Sequence, residues 1–505
     1  MDGLLTTLQN LLPALQNLAT PWPCFLMVLG VSLGIIVGAI PGLTGAMLIA
    51  LTLPLTFSMQ NPADAMVLLV SMYVGSISGG LISATLLRMP GTPASMMTTL
   101  DGYPMAVGGQ PGRALGLGVT ASFVGGVISC IFLVLLAEPI ANWSTRLGPF
   151  DFFSLTLMAL MLIATVSGES LSRGVLSGLL GVLATMPGVN PATGELRLTM
   201  GIASLSDGLK LLPVLIGLFA VSQIIQDIQR LDVRNEQAAF TRRGMLMAGR
   251  DWISQAVNLI RSSLIGVWVG ILPGIGANIG SVIAYSSARA MSRHPEKFGH
   301  GSEEGIVASE AANNATVGGA LIPLIALGIP GSVIDAILLG ALVIHGLQPG
   351  PLLFRDNPDV VYTIMATALV ANVVMVVFMV AALGVLARLM YAPRNFLIPI
   401  VLVFCVVGSF ALNNRMFDVW VMLAMAGVGF FLERKKIPLA PFVIGFVLAP
   451  VAEESLGAGL QSSAGSYWPL VSSPFSLVFC GISLALALWP VVKMSRLGGA
   501  GEALR

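Results

Sequence analysis

The sequence predicts an all-α, polytopic membrane protein made of two units of like organisation, and two observations carry that prediction. Of the 505 residues, 56% are hydrophobic and only 10% are charged, whereas a soluble domain carries about 25% charged residues. A polar, glycine- and proline-broken pattern also occurs twice, about half a chain apart. Gly34-x3-Gly38-x2-Pro41-Gly42 returns as Gly266-x3-Gly270-x2-Pro273-Gly274, and Gly102-x5-Gly108-x-Gln110-Pro111-Gly112 returns as Gly340-x5-Gly346-x-Gln348-Pro349-Gly350. Between them Gly79-Gly80 and Pro90-Gly91-Thr92 are echoed, with a one-residue slip, by Gly318-Gly319 and Pro330-Gly331-Ser332.

Taken in order, apolar stretches near the ~20 residues that cross a bilayer lie at 25–40, 114–137, 152–166, 209–225, 360–386, 396–412 and 476–492. Others are shorter or punctuated, so about ten to fourteen membrane segments are expected, some of them re-entrant. The start of the chain has no basic n-region and no small-residue cleavage site. The stretch 25–40 is therefore expected to be a retained helix rather than a signal peptide. The unit boundaries are expected at 1–226 and 257–505, joined by a basic linker at 227–256. That linker holds Arg230, Arg234, Arg242, Arg243 and Arg250 against Asp232, Glu236 and Asp251. Basic loops stay cytoplasmic, which places the linker, Arg434-Lys435-Lys436 and the tail with Lys493 and Arg496 inside. The loop 88–113 sums to +1 and its counterpart 327–351, with Asp335 and no Lys or Arg, to −1. Opposite charge on equivalent loops favours inverted topology. The second unit is longer between its breaks, 44 residues from Gly274 to Gly318 against 37 from Gly42 to Gly79. The excess falls in the charged stretch 289–304, which reads as a solvent loop without chemistry.

The breaks are where function is expected. In lipid an unpaired backbone group costs several kcal/mol, so a broken helix survives only inside protein or beside a water-filled cavity. Pro-Gly removes a donor and lets the chain turn, which leaves a half-helix with free N–H groups. Four such starts are Pro41-Gly42 with Thr44 and Gly45, Pro90-Gly91-Thr92, Pro273-Gly274 with Gly276 and Asn278, and Pro330-Gly331-Ser332. One helix N-terminus favours an anion by about 0.3–2 kcal/mol, while desolvating a carboxylate costs several. Several ends, hydroxyls and a cation acting together suit a multiply charged carboxylate. For a single GxxxG, such as Gly174-xxx-Gly178, tight helix packing is the simpler reading. Breaks repeated in register beside polar residues favour a ligand.

Among ionisable residues, Arg88 either snorkels to the interface or pairs with a substrate carboxylate as a fork. Glu310, Asn313, Asn314 and Thr316 offer hard oxygen ligands for a coupling cation, as does Asp335 beyond the last break, because intramembrane acids are costly and usually functional. Cys24, Cys130, Cys405 and Cys480 form no CxxC pair and read as small buried hydrophobes. His294, His300 and His345 make no zinc spacing. A net charge of +1 suggests no nucleic acid. No GxxxxGK[ST], HExxH or GxSxG occurs, so ATP-driven transport and the commoner hydrolase chemistries lack their residues.

At these residues the chain resembles the large transmembrane subunit of tripartite tricarboxylate transporters, the TctA family. The matching blocks are Pro41-Gly-Leu-Thr-Gly-Ala-Met, Met89-Pro-Gly-Thr-Pro-Ala-Ser, Asp101-Gly-Tyr-Pro, Gly270-Ile-Leu-Pro-Gly-Ile-Gly-Ala, Glu310-Ala-Ala-Asn-Asn-Ala, Leu327-Gly-Ile-Pro-Gly-Ser and Gln348-Pro-Gly-Pro-Leu. The resemblance implies a multi-pass permease of the bacterial inner membrane that is not an enzyme and has no cofactor. It implies a small membrane subunit and a periplasmic solute-binding protein as partners, a citrate-like tri- or dicarboxylate as substrate, and an ion gradient, commonly sodium with protons as the alternative, as drive. Two departures bear on specificity, since the position of Arg88 is often Asn in the family and an acid often stands at Ala288. A self-sufficient sodium/carboxylate symporter is the rival within transport, distinguished by whether genes for the two partners adjoin this one. A membrane-embedded enzyme is the rival from another class, and it would need a pair of acids, a nucleophile–base pair or a metal cluster at membrane depth.

Overall fold

A computed structural model describes residues 2–40, 43–166, 170–228, 249–273, 276–389, 394–411 and 413–502. Its helices before the linker are α1 (Asp2–Leu18), α2 (Pro21–Ala39), α3 (Gly45–Thr56), α4 (Pro62–Leu87), α5 (Met96–Val107), α6 (Pro111–Ser144), α7 (Pro149–Val166), α8 (Leu171–Thr185), α9 (Leu211–Leu215) and α10 (Ser222–Ile228). After it come α11 (Gly249–Ile271), α12 (Gly276–Met291), α13 (Glu303–Leu327), α14 (Val333–Ile344), α15 (Leu353–Asp356), α16 (Pro358–Leu389), α17 (Arg394–Ala411), α18 (Met416–Arg434), α19 (Leu439–Ser462), α20 (Trp468–Ser472) and α21 (Pro474–Glu502). The protein is an all-α polytopic membrane protein. Among the described residues six helices are long and apolar enough to cross a bilayer (α2, α4, α6, α16, α18 and α19), and seven shorter apolar helices accompany them. The only sheet among them is a two-stranded hairpin, Gly188–Val189 with Leu196–Arg197.

Three expectations change in detail. Helix α4, wholly buried along its apolar window, stands in none of the long apolar stretches read from the sequence. Its Ser71, Ser76, Ser78, Ser83 and Thr85 are buried, and they dilute hydropathy because they face other helices rather than lipid. The stretch 209–225 is helix from Leu211 onward, with a π-turn at Ile216–Val221 between α9 and α10. The charged stretch 289–304 is partly helical, since α12 runs to Met291 and α13 starts at Glu303. Of the linker, 229–248 lies outside the described residues, and from Gly249 onward it is already α11.

Glycine decides how the long helices meet. A methyl on Gly34 would strike the Met72 carbonyl, and one on Gly38 the Ser76 carbonyl; from the other side Gly79 lies on the Ile35 carbonyl. After the linker Gly266 lies on the Ala312 carbonyl, Gly270 on the Thr316 carbonyl and Gly319 on the Val267 carbonyl. The α2–α4 and α11–α13 seams thus match contact for contact, and small residues permit the close approach. The break glycines complete both seams, Gly91 on the Gly38 carbonyl and Gly331 on the Gly270 carbonyl. Neighbouring helices then interlock across the chain, α6 along α13 and α16 along α4, α8 along α19 and α18 along the π-turn.

Candidate functional site: four helix starts around one cavity

Each break is followed by a helix start, and three of the four starts carry a hydroxyl at the cap. Thr44 Oγ1 accepts the Met47 N–H at 3.1 Å at the start of α3. Ser332 Oγ accepts the Asp335 N–H at 3.4 Å at the start of α14. Thr92 precedes a 3-10 turn, Pro93–Ser95, that leads into α5, and the Ser95 hydroxyl accepts the Thr92 N–H at 3.3 Å. Gly276 opens α12 with φ +67°, a left-handed conformation that glycine adopts without strain. A capping hydroxyl that accepts a backbone N–H keeps its own O–H to donate outward.

Thr44, Thr92, Gly276 and Ser332 line one cavity of about 620 Å³, joined by Gly45, Asn278, Tyr73 and Ser76. Four half-helix N-termini from distant parts of the chain therefore converge on a single space. Its wall includes no Lys, Arg or His among the described residues, and its one carboxylate is Glu433. Positive potential in it comes from backbone N–H groups and helix dipoles. The far wall is Leu218 and Phe219 of the π-turn with Gln223, and π-turns of this kind are frequent at functional sites.

The other expected residues distribute as follows. Pro41, Gly42 and Gly274 lie outside the described residues. Pro90, Gly91, Pro273, Pro330 and Gly331 make the turns without lining the cavity. Arg88 caps α4 in the left-handed region (φ +57°), is exposed, and lies with its guanidinium 5.8 Å from the Tyr103 ring centre. It is not in the cavity wall. Its counterpart at the end of α13 is Gly328 at φ +69°, so the position is one where the backbone wants glycine or asparagine.

Glu310, Asn313, Asn314 and Thr316 form a separate buried cluster in the middle of α13. Thr98 donates to Glu310 Oε1 at 2.5 Å and Ser122 to Oε2 at 3.2 Å. Ser78 donates to Asn314 Oδ1 at 2.6 Å, and Thr316 donates to the Asn313 carbonyl at 2.6 Å. The Asn313 amide has no hydrogen bond of normal geometry. Asp335 is buried elsewhere, behind Ser332.

Sequence reading missed Tyr73, Ser76, Gln223 and Glu433. Polar residues in step on a buried helix were the available signal for the first two. Nothing local marked the others. Asp101 was read only as part of a motif, yet its Oδ1 accepts the N–H groups of Gly299, Gly301 and Ser302 at 2.8, 3.0 and 2.8 Å, and Oδ2 accepts the Tyr285 hydroxyl at 2.8 Å.

Comparison with known sequences gives the family. The sequence model of the tripartite tricarboxylate transporter TctA family matches residues 24–444. The chain belongs to the TctA family. An Agrobacterium vitis protein named as an uncharacterized 52.8 kDa protein in the TAR-I ttuC' 3' region is 30% identical over 493 residues, covering 97% of this chain and 98% of the relative. A second from the same organism, named as an uncharacterized protein in the TAR-II ttuC' 3' region, is 32% identical over 234 residues, 46% of this chain and 97% of the relative. No solved structure matches. TctA proteins are transporters rather than enzymes, and the chain is a multi-pass permease subunit of a tripartite tricarboxylate transporter. Membership of a tripartite system implies a small membrane subunit and a periplasmic binding protein.

Proposed function

We propose that this permease takes up a citrate-like tri- or dicarboxylate across a bacterial inner membrane, receives it from a periplasmic binding protein, and is driven by a sodium or proton gradient. The observation that carries the reading is the convergence of four helix starts on one cavity without a basic side chain. Four ends at up to ~2 kcal/mol each are of the size needed to offset several kcal/mol of carboxylate desolvation, provided a cation completes the balance. Thr44, Gly45, Thr92, Gly276, Asn278 and Ser332 would hold the anion, with Pro41, Gly42, Pro90, Gly91, Pro273, Gly274, Pro330 and Gly331 shaping the starts. The cation would come from Glu310, Asn313, Asn314, Thr316 or Asp335.

In this reading 1–226 and 257–505 are inverted repeats that rock about the cavity, and the matched α2–α4 and α11–α13 seams support it. The cavity reaches Glu433 beside the basic Arg434, so with 434–436 and the 227–256 linker cytoplasmic this conformation would face inward. Phosphatase fusions at Glu236 and Lys435 should be inactive; periplasmic activity at either would reverse the orientation.

The site itself is tested by adding charge. Thr44→Asp and Asn278→Asp put a fixed anion beside a desolvated anionic substrate, a repulsion of several kcal/mol at low effective dielectric. Each ~1.4 kcal/mol is tenfold in affinity. Carboxylate uptake into proteoliposomes with both partners and an imposed ion gradient should fall to background, while Thr44→Ser and Asn278→Gln stay active. Gly181→Ser, whose side chain would meet the Phe442 carbonyl, should harm assembly instead. Normal uptake by well-folded Thr44→Asp and Asn278→Asp proteins would place the substrate elsewhere.

A further inference from the structure

The two buried acids offered as cation ligands, Glu310 and Asp335, differ in their surroundings. Both Glu310 oxygens accept hydroxyl hydrogen bonds, from Thr98 and Ser122. Asp335 is 0% exposed, and neither of its oxygens receives a hydrogen bond of normal geometry. It stands one turn into α14, behind the cavity wall made by Ser332 and Tyr73, whose hydroxyls lie 3.3 Å apart. Tyr73 is 2% exposed and interacts electrostatically with the Asp335 carboxylate.

The matching break makes the asymmetry plain. In Thr92-Pro-Ala-Ser95 the third residue after the cap is a serine that hydrogen-bonds the Thr92 backbone; in Ser332-Val-Ile-Asp335 it is a carboxylate. A neutral hydroxyl suffices for the cap, so the charge serves something else. An ionised carboxylate without a counter-charge beside an anion cavity opposes anion binding by several kcal/mol. Among the described residues no basic side chain is hydrogen-bonded or ion-paired to it. Of the helices packed on α14, α3 and α9 carry no charged residue. Helix α4 contributes Tyr73, with Asp64 in its first turn and the exposed Arg88 at its C-cap. On α13 Glu310 is satisfied, and Glu303 and Glu304 stand at the first turn. On α19 Glu453 is paired with Arg197 and Glu454 is exposed.

We propose that Asp335, with the hydroxyls of Tyr73 and Ser332, is a site for a monovalent cation, proton or sodium, in the wall of the carboxylate cavity, and that filling it is the condition for tight anion binding. The cation acts from behind Ser332, so cation and anion share one cap. Their binding is linked reciprocally, which couples uptake to the gradient at this acid rather than at Glu310. The coupling rests on the proposed carboxylate site; the cation site does not.

Two measurements separate them. The first uses the purified full-length protein without substrate, and follows its melting temperature in choline chloride at constant ionic strength. One arm replaces choline by sodium at fixed pH; the other lowers pH in choline. The wild type should gain stability in one arm, which names the cation, as expected for a ligand of the native state. Asp335→Ser, which copies the Ser95 cap, should lose that response, and Tyr73→Phe should reduce it. Asp335→Asn serves if the serine variant does not fold. Equal responses in wild type and Asp335 variants overturn the cation site. The second measures citrate binding. Below saturation the wild-type affinity should rise up to tenfold per tenfold increase in the cation, and Asp335→Ser or Asp335→Asn should flatten that slope. A variant that binds citrate with the wild-type slope overturns the coupling. Failure of wild type to bind citrate or any other tri- or dicarboxylate overturns the carboxylate reading instead, leaving the melting experiment to judge Asp335.

Discussion

Replacing Asp101 should unfasten the loop that leads into α13, and the structure sets the size of the effect. The carboxylate accepts three backbone N–H groups from 299–302 and the Tyr285 hydroxyl, all between 2.8 and 3.0 Å. In Asp101→Ala the half-buried Gly299 and Gly301 amides can turn to water, but the Ser302 N–H and the Tyr285 hydroxyl are buried. Each buried group left without a partner costs about 1–3 kcal/mol, and each lost bond to a charged acceptor a similar amount. The expected loss is about 2–6 kcal/mol. Asp101→Asn keeps an oxygen facing the three amides, and the Tyr285 hydroxyl can accept from the new NH₂ group, so its loss should be about 2 kcal/mol or less. The assay is reversible denaturation in detergent, with amide exchange read at 299–302. Exchange there should quicken strongly in Asp101→Ala and modestly in Asp101→Asn. An Asp101→Ala protein within about 1 kcal/mol of wild type, or with protected 299–302 amides, would refute the clamp.

Two further outcomes follow from the packing. Gly91→Ala would drive a methyl into the Gly38 carbonyl and the Ser83 hydroxyl, so it should destabilise by about 1–3 kcal/mol as an overpacked core does; an unshifted melt with unchanged uptake would mean the α2–α4 seam yields freely. Arg88→Gly relieves a left-handed non-glycine residue whose strain is of order 1 kcal/mol, so it should leave stability equal or higher and uptake intact, whereas loss of carboxylate affinity in a well-folded Arg88→Gly protein would restore the guanidinium as a substrate fork.

The sequence by itself determined the membrane class, because 56% hydrophobic and 10% charged residues leave no soluble alternative. It also marked the starts of the site. A Pro-Gly pair inside an apolar run must break a helix whatever surrounds it, and a hydroxyl two or three residues later is a cap by local chemistry alone. Thr44, Thr92 and Ser332 were legible for that reason, and so was the glycine seam, which depends on short spacings. Tertiary structure decided everything that requires residues far apart in the chain to meet. That the four starts share one cavity, that Tyr73 faces Ser332 across 259 positions, and that Asp101 fastens a loop about 200 positions on are facts of packing. The same holds for Arg88, Glu310 and Asp335. As letters they are one exposed-or-functional arginine and two costly acids. Only the fold turned the arginine outward over Tyr103, gave Glu310 two hydroxyl donors, and left Asp335 without a hydrogen bond of normal geometry behind the cavity wall. The energy of a buried charge is set by its neighbours, and sequence names the charge but not the neighbours.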